Sequence, residues 1–197
     1  IAPCKNQRYL TGDFLYIQGK RPAMRFKIIP CLTLLSFLSI YSCQGHGDND
    51  HDKAQQEVVR FDRPESSILK GVKVPADRDM YFASGIVAYP KDDSKPAGDR
   101  ERFGDTYEQS VSALKRIEAY LGEEGLSLKD VISMKVYVAP DPENDNKPDF
   151  QGWFKAYGEF FNNAENNPNK VARSTIGVYT LVNPDMLIEI EVRAVYP

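Results

Sequence analysis

The last 28 residues, Lys170 to Pro197 (KVARSTIGVYTLVNPDMLIEIEVRAVYP), constrain this chain more than any other stretch. Lys170 to Val182 is rich in β-branched residues and Asn183-Pro184-Asp185 has turn chemistry. Leu187 to Tyr196 then alternates apolar and polar residues with a period of two. Two strands are expected. On the second, Ile188, Ile190, Val192 and Ala194 form one apolar face after Leu187, with Glu189, Glu191 and Arg193 on the other. Burial explains the apolar set but not Arg173, an arginine between the small residues Ala172 and Ser174. Its planar fork of donors suits a carboxylate, and Glu189 is an acceptor nearby in sequence. The plain alternatives are a surface arginine paired with any acid and a solvent-facing glutamate.

Upstream, the pattern changes character several times. Residues 1–23 show no usable periodicity, and Met24 is the expected start. Met24-Arg25-Phe26-Lys27 is basic, Ile28 to Tyr41 is mostly apolar, and Ser42-Cys43 ends the run. About 20 apolar residues are needed to span a bilayer, so this reads as a secretory signal over residues 24–43. Its end is similar to a bacterial lipobox. That similarity implies cleavage before Cys43 and lipidation of its thiol, although Tyr41 is bulky for the motif. The expected location is the bacterial cell envelope, either lipid-anchored or free in the periplasm; an unused signal would leave the chain in the cytoplasm. Residues 44–56 (QGHGDNDHDKAQQ) read as a flexible acidic tether. His46 and His51 among its aspartates have the chemistry to hold a divalent metal weakly, but a solvated linker with no specific ligand is the preferred reading.

The folded domain is expected over residues 57–197. It carries 18 Lys+Arg against 24 Asp+Glu, a net charge of −6, and contains none of the three cysteines or two histidines. Cys/His nucleophilic catalysis and His/Cys zinc sites are therefore excluded there. The balance also lacks the basic field of a nucleic-acid binder. No cofactor or metal is expected.

Short strands are expected at Val58–Phe61, Ile68–Val74 and Met80–Ala83, the last running into Ser84-Gly85. Lys91 to Arg102 reads as a loop. Asp105 with Glu108 makes a capping box, followed by Tyr107, Val111, Leu114, Ile117 and Leu121 at helical spacing. Val131–Val138 is a strand, Asp141–Pro148 a loop, and Phe150, Trp153, Phe154, Tyr157, Phe160 and Phe161 mark a second helix whose aromatic stripe reads as packing. The order β-β-β-α-β-α-β-β implies an α+β sandwich of two layers, with both helices on one face of a mixed sheet.

These motifs together resemble the reactive-intermediate deaminases, the RidA/YjgF family. The resemblance rests on Ser84-Gly85, the segment from Asp105 through DVISMKVYV, Tyr157 with Phe160-Phe161, and ARST followed by EIE. It implies a chorismate-mutase-like fold, homotrimers with sites between subunits, and hydrolysis of reactive 2-imino and enamine acids to 2-oxo acids and ammonia. It also implies that Arg173 holds a small carboxylate substrate, that Glu189 stands near the attacking water, and that Ser84, Gly85 and Thr175 line the site. Two positions depart from the family pattern. Ile68 stands where a tyrosine is common, and Phe154 where an asparagine is common three residues before the helix tyrosine. Both make the pocket more apolar, which fits a larger or more hydrophobic imino acid, or a module that binds 2-oxo acids without turnover. A ribonuclease activity, attached to the family in name, is a third reading. No nucleic-acid partner is expected from the charge, and contact with a membrane is expected only through the lipid anchor.

Overall fold

The computed structural model describes residues 56–197; residues 24–43, expected to be a signal, with Cys43, and most of the expected tether lie outside the described residues. Eight strands and three helices follow one another. They are β1 (Val59–Phe61), β2 (Gly71–Lys73), β3 (Met80–Phe82), α1 (Arg100–Phe103), α2 (Thr106–Glu123), β4 (Val131–Val138), β5 (Pro140–Asp141), β6 (Lys147–Pro148), α3 (Phe150–Phe160), β7 (Ala172–Gly177) and β8 (Ile188–Val195). Four of the strands form a mixed sheet in the order β3-β8-β4-β7, in which only β4 and β7 run parallel. Parallel neighbours need a crossover, and α3 lies within the one between β4 and β7.

Period-two burial sets the layers. Met134, Val136 and Val138 on β4 and Ile188, Ile190, Val192 and Ala194 on β8 are buried. They share one core with Ala113, Leu114, Ile117 and Leu121 of α2 and with Trp153, Tyr157 and Phe161 of the α3 region. Both helices thus cover one face of the sheet, giving the α+β architecture implied by the sequence. The opposite face presents Ser133, Lys135, Tyr137, Glu189, Glu191 and Arg193, and among the described residues no helix covers it.

Local chemistry fixes the helix limits. Asp105 accepts the Glu108 amide while the Glu108 carboxylate accepts the Asp105 amide, closing the capping box at α2. Gly125, at φ +72°, follows the last turn.

The structure also corrects several expectations. The segment Lys170–Val182 is a strand only over Ala172–Gly177, because its partner β4 ends at Val138. Beyond it, Tyr179 and Val182 are fully exposed, so β-branched composition without a partner forms no ladder. The second strand shortens to Gly71–Lys73 and pairs with β1 in a separate two-stranded sheet, leaving Ile68 just ahead of it. The two loops expected near residues 91–102 and 141–148 contain α1 and the β5–β6 pair. On α2, Tyr107 and Val111 are only half-buried, and Thr106, Ser110 and Ala113 take the core side with Leu114.

Candidate functional site

β7 is an edge strand, and its register decides what its side chains meet. Arg173 lies level with Met134 and Thr175 with Val136, so both point to the helix-covered side; Ser174 and Ile176 point to the open side. There the Arg173 guanidinium carbon stands 4.1 Å from the Tyr157 ring centre, 5.3 Å from Phe154 and 5.6 Å from Trp153. Such stacking stabilises a cation without satisfying its N–H groups. Arg173 Nη1 is buried and has no hydrogen-bond partner among the described residues. Burial lowers the Arg173 pKa from its usual value, opposed by the phenol of Tyr157. An arginine nevertheless stays charged at neutral pH, so a desolvated cation is held ready for an anion.

The surrounding groups fix that cation rather than neutralise it. Trp153 Nε1 donates to Thr175 Oγ1 at 3.3 Å, locking the fully buried indole. Tyr157 donates to the Ser67 carbonyl at 3.1 Å, and the Leu69 amide donates to the Val171 carbonyl at 3.1 Å. These two bonds bracket Ile68 and hold it at the edge of β7. Burial raises the Tyr157 pKa, and the charge of Arg173 opposes the shift. Thr175, expected to meet substrate, is thus already engaged with Trp153.

A groove of about 480 Å³ on the open side of the sheet is lined by Phe82, Ser133 and Ser174 and reaches Ile68 and Arg173, although the Arg173 guanidinium itself lies against the α3 rings. Arg63, Lys70, Lys135 and Arg193 also line it, with Glu191 as its acid. A cation-rich groove in an acidic domain was not legible in the sequence, because the four side chains come from separate segments.

Ser84, Gly85 and Glu189 form a second cluster. The bridge between Ile86 and Ile190, with N–H···O distances of 2.9 and 3.0 Å, sets Gly85 beside Glu189. A Cβ on Gly85 would lie 1.8 Å from Glu189 Oε1, so any larger residue would displace the carboxylate. Ser84 is exposed next to it.

The pairing of Arg173 with Glu189, suggested by their closeness in sequence, is absent within one chain. β4 lies between their strands. Glu189 is level with Tyr137 and Arg173 with Met134, an odd separation along β4 that puts them on opposite faces. Ile68, Phe154, Thr175 and Arg173 gather at one edge; Ser84, Gly85 and Glu189 gather on the open side.

The sequence model described as "Endoribonuclease L-PSP" matches residues 71–196, most of the described domain. The chain belongs to this family, the YjgF/RidA group. Among solved structures it is similar to the Rid-family protein YyfB of Yersinia pestis, at 22% identity and TM-score 0.53, covering 72% of this chain and 100% of that one. It is also similar to TdcF of Escherichia coli, solved with bound serine, at 27% identity and TM-score 0.46, covering 63% and 85%. The YjgF gene product of E. coli gives 25% identity and TM-score 0.46 over the same shares. No curated protein matches. The likeness to YyfB supports the fold of this YjgF/RidA member.

Proposed function

We propose that this chain hydrolyses reactive 2-imino and enamine acids to 2-oxo acids and ammonia. The observation that carries this reading is Arg173, a partly buried cation stacked on Tyr157 with a buried Nη1 lacking an acceptor. A carboxylate would supply the missing acceptor in bidentate form. An imine carbon beside that carboxylate is already electrophilic, so the protein needs orientation and one placed water rather than a strong nucleophile. Water adds to the imine carbon and its proton passes to Glu189. That proton moves to the nitrogen to give a carbinolamine; the proton of the added hydroxyl then reaches the amine as the C–N bond breaks, so ammonia leaves and a 2-oxo acid remains.

Because Arg173 and Glu189 lie on opposite faces of one sheet, the reading requires a second copy to bring its Gly85–Glu189 cluster to the β7 edge. A homotrimer with sites between subunits is therefore part of the proposal. The uncovered sheet side, with Phe82 62% and Ile176 46% exposed, supports such burial. Export to the bacterial envelope, with lipid on Cys43, is the location proposed from the signal pattern. A non-catalytic 2-oxo acid binding module keeps the Arg173 clamp but assigns Glu189 no role.

Generated 2-aminoacrylate is the test, with wild type and Glu189→Gln run beside each other. Turnover by wild type and a fall of roughly a hundredfold in Glu189→Gln, with 2-oxo acid binding retained, is expected. Binding without turnover in wild type would favour the binding module. Salt-sensitive RNA cleavage without imine turnover would instead favour the activity in the family's printed name.

A further inference from the structure

The three rings around Arg173 are not equivalent. Trp153 and Tyr157 are buried, whereas Phe154 is 41% exposed and is the ring that solvent reaches. One turn further along α3 stands Gly158, also exposed. A Cβ built there would meet nothing within 4 Å, and its φ is not in the left-handed region. Glycine weakens a helix interior relative to alanine, and neither sterics nor backbone geometry within the chain asks for it. Side chains on a helix lean toward its N-terminus, so any side chain at 158 would cover the patch beside Phe154. Gly158 leaves that patch open. Ile68, held beside β7 by the Tyr157–Ser67 and Leu69–Val171 bonds, adds an aliphatic surface to the groove whose lining includes Arg173.

From this arrangement we infer that the substrate is a 2-imino acid with an aromatic or branched aliphatic side chain. Its carboxylate lies on Arg173 and its apolar group lies against Phe154 in the space left by Gly158. The inference rests on the carboxylate-clamp reading of Arg173 and adds the side-chain class to it. A ligand ring beside Phe154 would take an offset or edge-to-face arrangement and leave the water it occupies when free. A small imino acid would use the clamp alone. The reaction that supplies such a substrate must oxidise or dehydrate the corresponding apolar amino acid or its hydroxylated derivative.

Titration of the full chain with phenylpyruvate and pyruvate by calorimetry tests this. Wild type should bind phenylpyruvate roughly tenfold to a hundredfold more tightly than pyruvate, the range that apolar pockets give for added apolar groups. Arg173→Ala should remove both interactions. Gly158→Leu fills the space with a better helix former, so folding is not the issue, and it should collapse the ratio toward one. Equal affinities in wild type, with both lost in Arg173→Ala, would overturn the side-chain assignment while leaving the clamp standing. Tight phenylpyruvate binding that survives Arg173→Ala would place the ring elsewhere and also overturn it. Binding of neither acid to wild type would bring down the clamp reading itself, and this inference with it.

Discussion

Two arginines in this domain stand in opposite situations. At the corner of α1 and β5, Arg100 donates to both oxygens of Asp141 at 2.7 Å, and Asp141 is almost fully buried. Burial is the largest single influence and works against the Arg100 charge, but the hydrogen bond to Asp141 and the charges of Asp141, Glu143 and Asp105 together outweigh it and raise the pKa above its usual value. At the seam of α3 and β7, Arg173 has aromatic rings and, among the described residues, no carboxylate, and its pKa is lowered by burial. Arg60 belongs with Arg100: it donates to the carbonyls of Val131, Lys170 and Lys129, each at 3.0 Å, pinning β1 to the starts of β4 and β7. Arg60 and Arg100 spend their donors on the fold itself. A cation left stacked and unanswered is stored binding capacity.

Exchanging these roles by mutation gives the largest effects. Arg173→Ala should weaken 2-oxo acid binding and imine turnover by about 2–5 kcal/mol, roughly thirtyfold to several thousandfold. Its thermal midpoint should stay within a few degrees of wild type, since no ion pair is lost. Arg173→Lys should recover only part of the binding, keeping the charge without the fork. Arg100→Ala should do the reverse. It strands a buried carboxylate and should cost about 3 kcal/mol of stability, with ligand affinity per folded molecule nearly unchanged. Paired thermal melts and binding titrations would decide. An Arg173→Ala protein that melts far below wild type, or an Arg100→Ala protein that folds normally but binds nothing, would erase the distinction.

A smaller change sharpens the same contrast. Tyr157 contributes its ring to Arg173 and its hydroxyl to the Ser67 carbonyl, so Tyr157→Phe separates the two. The ring contact remains. Loss of the hydrogen bond should cost about 1 kcal/mol of stability, freeing the segment around Ile68. Faster hydrogen exchange at Leu69 should accompany a fall of a few-fold in 2-oxo acid affinity. Unchanged exchange at Leu69 would mean that the Leu69–Val171 bond alone holds the segment.

How much of this was legible beforehand follows from what each feature depends on. The alternation of Ile188 to Ala194, the Asp105–Glu108 capping box and the α3 aromatic stripe are local patterns, and the structure realises all three. The placement of β4 between β7 and β8 depends on pairings between distant segments, which no local pattern records. That one placement separates Arg173 from Glu189. Thr175 illustrates the same limit. Its type suits a substrate contact, but whether its hydroxyl is available depends on where Trp153 lands. Phe154 belonged to the stripe by spacing, yet it is the member left at the surface. The groove cations were hidden because Arg63, Lys70, Lys135 and Arg193 come together only across the assembled sheet.

The smallest expected effect concerns an ion pair that belongs with architecture but lies in solvent. Lys91 donates to Glu108, the residue whose carboxylate also caps α2. The Glu108 carboxyl is held below its ordinary pKa of 4.5, first by the hydrogen bond from Lys91, with burial opposing. Lys91 is held above its ordinary 10.5, first by the hydrogen bond to Glu108. A depressed carboxyl contributes stability above its unfolded pKa and loses it as pH falls through the folded value. A raised amine contributes below its unfolded pKa and loses it as pH rises through the folded one. The pair should therefore act fully between about pH 4.5 and 10.5. Both groups are well exposed, so water and salt screen the interaction. Glu108→Gln, which keeps a capping amide, should lower the thermal midpoint by only about one or two degrees at pH 7 and low salt. The difference should shrink in high salt and disappear as wild-type Glu108 protonates below its depressed pKa. A gap that persists when Glu108 is neutral would show that the carboxylate matters through cap geometry rather than through charge.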